Sequence, residues 1–485
     1  MFPRNLKLLV VMGICTISFT MMVTGAGAVG PNDIKWNKPL SIAERITGKG
    51  PVEVIPAEYD DYGVKLSGKK GMLKGYILPE GWKEAVGDVK KLVLTNSGAL
   101  AGDPATALNA KIFEKMTGIH LEFIEMSGAL MWPKQLSVLV ARSTDVDLFY
   151  QRNPMLEIPH LSAANWAVPV DELWTPDVEK LYPEKVLDSF KGIDGRFYGG
   201  APFCFWAMHL FYRPSWLTKA GVTVPLTWQD LVIASSKVDT WAENNLGPGN
   251  DGMVYAAGDP DLVHVLLAMV QYSQDKPLIK DGRFVIDPDT WKIVTDLWLK
   301  GGMSDSSLEY LWSMAPEVFA KGKAGFTITG GVYINEFKNP EFATGIQNDW
   351  GVTLTPGWEG IGNRGIGPVQ ADDWTINPYI SPAKKAAAML WMDYQRSYQA
   401  QFNELYVEGN ESAMMCVYEH PAVKNEVAYV DLRRETLEAQ IGESYPPAMW
   451  EAIEMVKEYL GRVVLGEMDP DKALEQVQAE INMIM

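Results

Sequence analysis

Basic residues and cysteine are what this sequence is short of. Against 61 acidic side chains stand 43 lysines and arginines, a formal net charge of −18. An excess of that sign repels phosphodiester backbones and anionic lipid, so nucleic acid and membrane surfaces are excluded as partners. It suits a soluble protein that stays monomeric. The five histidines show no H-x-x-x-H spacing and the three cysteines no C-x-x-C pair, so a zinc site has no support. Cys15 lies in an N-terminal apolar run. That leaves Cys204 and Cys416, for which one disulfide and two buried thiols are equally consistent with the sequence. No G-x-S-x-G elbow occurs. G-x-G-x-x-G does occur, at Gly360 to Gly365, but Pro356-Gly357 precede it rather than a strand and Gly367-Pro368 follow it rather than a helix. It therefore reads as a mobile loop and not as a dinucleotide fingerprint. No catalytic residue, metal ligand or cofactor is expected.

Long apolar runs are also scarce. The one at residues 8–23 follows Arg4 and Lys7 and precedes Ala26-Gly27-Ala28. Charge, apolar stretch and small residues in that order are the layout of a secretory signal peptide, with cleavage expected after Ala28. Gly13, Thr16, Ser18 and Thr20 interrupt the run and make it weak for a membrane span. Ile14 stands before Cys15 where lipoprotein signals carry a small residue, so no lipid anchor is expected. The protein is thus expected in the periplasm or otherwise outside the cytoplasm.

What is present is a globular chain of 485 residues, 47% hydrophobic, long enough for two or three domains. Residues 29–89 carry Pro31, Pro39, Pro51, Pro56, Pro79 and a basic Lys69-Lys70 step, and show no long periodic segment. They read as an N-terminal extension with little regular structure of its own. From Lys90 a rhythm sets in. Leu92-Val93-Leu94 reads as a buried strand. Asp103-Pro104 opens a helix and Gly118 closes it. Residues 120–125 and 146–150 read as further strands, with a helix over 135–142 between them. That order is the pattern of a parallel sheet with crossover helices, whose ligands gather at the carboxyl ends of the strands. It places Asn96-Ser97-Gly98 and Gln151-Arg152-Asn153 at a candidate cleft. A second unit follows, with strands at 208–212, 253–257 and 324–328 and helices at 228–236 and 262–272.

Several segments of this second half resemble the family 1 extracellular solute-binding proteins of ABC importers, of which maltose-binding protein is a member. Asp194-Gly195-Arg196-Phe197-Tyr198-Gly199-Gly200-Ala201-Pro202 is similar to the family's DG-x-x-YG-x-P turn. Ala220-Gly221-Val222 and Pro225-Leu226-Thr227-Trp228-Gln229-Asp230-Leu231 follow in the family's order. Phe319-Ala320-Lys321-Gly322-Lys323-Ala324 with Gly330-Gly331 resembles its F-x-x-G-K-x-A strand and glycine loop, where Val332 replaces a common Trp. Leu354-Thr355-Pro356-Gly357, Ser381-Pro382-Ala383-Lys384-Lys385-Ala386-Ala387 and Met468-Asp469-Pro470 complete the series. The resemblance runs from about residue 90 to the C-terminus. It implies an α/β, two-lobed, periplasmic-binding-protein-like (type II) fold, each lobe a mostly parallel sheet flanked by helices, with a hinge between. The expected division is 1–28 signal peptide, 29–89 extension, 90–204 with 374–420 as one lobe, and 205–373 with 421–485 as the other. The chain is expected to cross between lobes near 203–206, 372–373 and 419–423.

The resemblance further implies a receptor, not an enzyme, that captures a small-molecule solute, a sugar or oligosaccharide, and delivers it to the membrane permease of an ABC importer. A sugar site needs aromatic faces for C–H surfaces and planar polar groups for hydroxyls. The residues expected to supply them are Trp206, Asp372, Asp373, Trp374, Tyr333, Asp259, Asn96, Ser97, Gln151, Arg152 and Trp450. Of Asp259 and Asp261, one is expected to cap the following helix, leaving the other free. The competing expectation is a binding protein for a non-sugar solute, such as a peptide, a polyamine or another cation. A secreted carbohydrate-active enzyme ranks behind both.

Overall fold

Two apolar strand cores, around Leu92–Leu94 and Phe326–Ile328, seed two separate sheets. The computed structural model describes residues 30–36, 40–48, 54–55, 71–72, 74–97, 103–126, 128–362 and 364–485. The expected signal peptide, Gly98, Asn363 and much of the expected extension lie outside them.

The first described helix, α1 (Ile42–Thr47), is opened by a capping box between Ser41 and Glu44. The first sheet begins with β1 (Lys91–Ser97), buried from Leu92 through Asn96. Asp103 then caps α2 (Pro104–Thr117) by accepting the Thr106 N–H at 3.2 Å, and Gly118 ends it at φ 73°. β2 (His120–Met126) and β3 (Leu148–Gln151) flank β1 in parallel, with Leu92 opposite Leu121 and Leu94 opposite Leu148.

The chain leaves this sheet through β4 (Cys204–Phe205) and enters the second through β5 (Met208–Tyr212). There follow α3 (Trp228–Leu246), opened by a Thr227–Asp230 capping box, and β6 (Asp251–Val254). Asp259 caps α4 (Pro260–Tyr272), and β7 (Ala324–Gly330) and β8 (Gly351–Leu354) complete the sheet in the order β8-β5-β7-β6. β9 (Ala371–Ile376) returns to the first sheet, whose order is β2-β1-β3-β9-β4. Helix α5 (Pro382–Gln395) packs on that sheet with α6 (Tyr398–Asn403) against α5 and α2, and α7 (Met449–Val464) and α8 (Pro470–Ile484) pack on the second unit beside α4 and Pro288–Leu299.

The pairing corrects one expectation. The sheets are mixed, not mostly parallel. β9 runs antiparallel to β3 and β4, and β5 antiparallel to β7 and β8. Parallel pairing follows from crossover units within one lobe. Strands that arrive from the other lobe enter from the opposite end and pair the other way.

Three chain segments are hydrogen-bonded side by side between the sheets. Phe203 N–H donates to Asp372 O (3.0 Å), Trp206 N–H to Gln370 O (2.8 Å) and Phe205 N–H to Glu411 O (2.9 Å). Beyond Glu411 the chain still packs on the first unit, with Met415 N–H donating to Leu181 O (3.0 Å) and the Ser412 hydroxyl to Gln401 (2.9 Å). Cys204 and Cys416 are free thiols.

The described parts of the extension are seated in the first unit's core. Ile34, Trp36, Ile42 and Ile46 are buried. Arg45, also buried, forms a forked ion pair with Asp393 of α5, its Nη2 3.0 Å from Oδ1. The Tyr76 hydroxyl donates to the same carboxylate at 2.6 Å, and Arg396 reaches it at 3.1 Å. Burial opposes ionisation there, but Arg45 and Arg396 prevail and hold the Asp393 pKa below the usual carboxylate range.

Candidate functional site

The strands of both units end toward a common cavity of about 310 Å³. From the first unit, Ser97 at the end of β1, Tyr150 of β3 and Arg152 just beyond it line one wall, with Asp103 at the N-terminus of α2. From the second unit come Asp261 and Leu262 in the first turn of α4, and Trp312. The crossing segments close the base with Phe203, Trp206, Gln370, Asp372, Glu408 and Asn410.

The aromatic side of the cavity is built over a glycine. The Trp206 and Trp312 rings meet edge-on, centroids 4.7 Å apart at 77°. A Cβ on Gly330, the last residue of β7, would stand 3.0 Å from both indoles. Glycine there lets the rings settle onto the strand end.

The polar side is anionic and partly protonated. Burial pushes the Asp372 carboxyl up to about 8, against the opposing effect of hydrogen bonds from Tyr150 and Trp206. A carboxyl that keeps its proton donates one hydrogen bond as well as accepting others. Burial likewise raises Asp261 to about 6, with Arg152 opposing.

Arg152 also ties the two units together. Its Nη2 lies 2.7 Å from Asp259 and 3.6 Å from Asp261 across the cleft. Asn153 Nδ2 donates to Asp261 at 2.7 Å and Gln370 Nε2 at 3.2 Å. Behind them His264 is buried and its pKa lowered by desolvation to about 3, so it stays neutral and bonds the Tyr445 hydroxyl at 2.8 Å.

With this geometry in view, comparisons with known proteins are informative. The family described as bacterial extracellular solute-binding protein matches residues 94–402. The chain belongs to that family. A curated relative, an uncharacterized ABC transporter extracellular-binding protein of Pyrococcus horikoshii, is 23% identical over 316 residues, covering 61% of this chain and 65% of that protein's length. Among solved structures, maltose-bound MalE3 of T. maritima superposes with a TM-score of 0.69 at 20% identity, over 81% of this chain and 100% of that one. An Agrobacterium radiobacter K84 solute-binding protein in complex with ribitol gives 0.70 at 20% identity, over 82% and 99%. A chitin oligosaccharide binding protein gives 0.68 at 16% identity, over 82% and 99%. At these identities the likeness is one of fold, and the fold is the two-lobed α/β arrangement expected. Solute-binding proteins of this family work outside the cytoplasm, and among the described residues no helix is long and apolar enough to cross a membrane.

Within this solute-binding fold, the expected site residues divide. Trp206, Asp372, Ser97 and Arg152 line the cavity. Asp259 caps α4 and pairs with Arg152, while Asp261 faces the cavity, so one aspartate of the two is indeed spent on the cap. The others stand behind the wall. Trp374 is fully buried and stacked on Phe203 at 4.2 Å. Asp373 accepts the backbone N–H groups of Ala201 (2.8 Å) and Trp374 (2.6 Å) and braces the turn before the first crossing. Gln151 donates to Thr375 at 3.0 Å. Asn96 is buried within β1 with its side-chain amide unpartnered. Tyr333 supports Trp312 from behind, centroids 5.8 Å apart. Trp450 packs against Trp132 on α7, away from the cavity. Trp312, Asp103, Glu408 and Asn410 were not expected. The first stands in irregular chain without a motif, and Asp103 reads fully as a helix cap.

Proposed function

We propose that this solute-binding protein captures a small sugar or polyol in the cavity between its lobes and delivers it to the permease of an ABC importer. The observation that carries this is the shared lining: the Trp206 and Trp312 indoles over Gly330 border the same cavity as hydroxyl partners at Asp372, Gln370 and Ser97. Aromatic faces take the C–H surface of a sugar, and carboxyl and amide groups take its hydroxyls. Structural neighbours whose names record maltose, ribitol and chitin oligosaccharide are in keeping with it. The cavity volume suits a small solute rather than a long chain. The protein is proposed to be exported by a signal peptide at 1–28 and to act as a monomer. Its lobes are proposed to divide as 90–204 with 374–420 and 205–373 with 421–485.

Capture works by closure. Solute seats on one lobe, and the other swings about the three crossing segments because the closed state adds contacts. The clasp of Arg152 and Asn153 on Asp259 and Asp261 is made only when the lobes meet. A thermal-shift screen of the mature protein tests the proposal, since a ligand of the native state raises its melting temperature. A rise with sugars or polyols that disappears in Trp312→Ala is the expected result. Rises confined to peptides, amines or metals would remove the sugar and keep the receptor.

A further inference from the structure

One end of the cavity gathers three carboxyl groups whose pKa values burial raises, so that they hold protons a cation could displace. Carboxylate oxygens of Asp103, Glu404 and Glu408 all lie within 4.8 Å of one another. Asp103 and Glu408 are hydrogen-bonded to each other, and both line the cavity at the N-terminus of α2, where Glu408 also accepts the Ala105 N–H at 3.1 Å. Among the described residues none of the three forms an ion pair with a lysine, arginine or histidine. Glu404 sits behind them with its oxygens occupied. Thr106, Asn109 and Gln395 donate to Oε1 at 3.3, 3.0 and 2.9 Å, and Asn410 to Oε2 at 3.1 Å. That last bond fixes the Asn410 amide. Its Oδ1 is left buried with no partner, in a cavity-lining residue only 3% exposed.

On the footing of the solute-binding function proposed above, we propose that Asp103, Glu408 and Asn410 Oδ1 bind a protonated primary amine of the solute, which is therefore an amino-substituted sugar or polyol. Three acceptors on cavity-lining residues match the three N–H donors of an ammonium group. A calcium ion wants six to eight oxygens and a magnesium ion a near-octahedral set, more than this wall offers once Glu404 is occupied. The amine replaces the missing counter-ion of a buried acidic pair, and the indoles across the cavity take the carbon skeleton.

Calorimetric titration of the mature protein with glucose and glucosamine, galactose and galactosamine, spermidine and calcium chloride tests this. An amino sugar is expected to bind at least about tenfold tighter than its neutral parent, worth about 1.4 kcal/mol. The advantage is expected to vanish in both Glu408→Gln and Asp103→Asn, with their unfolding curves showing that each still folds. Equal affinity for amino and neutral sugars, untouched by either substitution, overturns the amine site and leaves the sugar receptor standing. Binding of spermidine alone, lost in Glu408→Gln, keeps the amine site and overturns the sugar. Calcium binding lost in Glu408→Gln overturns the amine in favour of a metal. No binding by any of them overturns both proposals.

Discussion

Two groups of tryptophans lie close together around the crossing segments, and they differ in what they face. Trp374 is stacked on Phe203 and meets Trp391 at 5.6 Å, both indoles enclosed by protein. Trp206 and Trp312 meet at 4.7 Å over Gly330 and border the cavity. Chemistry is the same in both, so aromatic content does not by itself identify a binding surface. The difference is what stands opposite: other core side chains in one case, open space and carboxyl groups in the other. The first group packs the crossing region, and the second is the one proposed to hold a solute.

The sharpest way to separate the groups is to truncate one member of each. Trp374→Ala should lower unfolding free energy by about 3–5 kcal/mol, read from urea denaturation, because it opens a large cavity in packed surroundings. Trp312→Ala should leave that curve nearly in place and weaken solute binding by about 2 kcal/mol, roughly thirtyfold, read by calorimetry. A reversal of the two results would break the comparison. A smaller effect is expected from Gly330→Ala. Its methyl group presses on both indoles, and overpacking of this kind costs about 1 kcal/mol or somewhat more, read as a several-fold rise in Kd.

A further effect shows only as a trend with pH. Asp372, which Trp206 bonds from the cavity side, is raised by burial to about 8. The native state therefore keeps a proton that the unfolded chain loses near pH 4, and this group's contribution to stability falls as pH rises from about 4 to 8. Melting curves of Asp372→Asn without solute should match wild type near pH 4 and lie increasingly above it toward pH 8. A gap that widens instead toward low pH would contradict the protonated state.

Much of the architecture was legible because its signals are local. Asp103-Pro104, Thr227 and Asp259 announce helix starts with side chains that reach only the next turn. The apolar strand cores and the glycine-ended helices work the same way. The site was legible only in part. Ser97 and Arg152 sit at strand ends that the rhythm locates, and Trp206 and Asp372 on crossing segments that the family resemblance implies, whereas Trp312 lines the cavity from irregular chain, where the resemblance pointed to Tyr333. Glu408 and Asn410 meet Asp103 across some three hundred residues of chain, and no spacing records that. The extension was read as weakly structured for the same reason, since the partner of Arg45 is Asp393, far along on α5. Parallel pairing was overestimated because a strand's direction depends on which lobe it comes from.

The most direct test of the account is a calorimetric titration of wild type, Trp312→Ala and Trp374→Ala, side by side, with the sugars, polyols and amino sugars named above. The account predicts saturable one-site binding of at least one of them to wild type, binding weakened at least about tenfold in Trp312→Ala, and near wild-type affinity in whatever fraction of Trp374→Ala remains folded. If none of them binds wild type, or if Trp312→Ala binds as tightly as wild type does, the cavity between the lobes is not the solute site described.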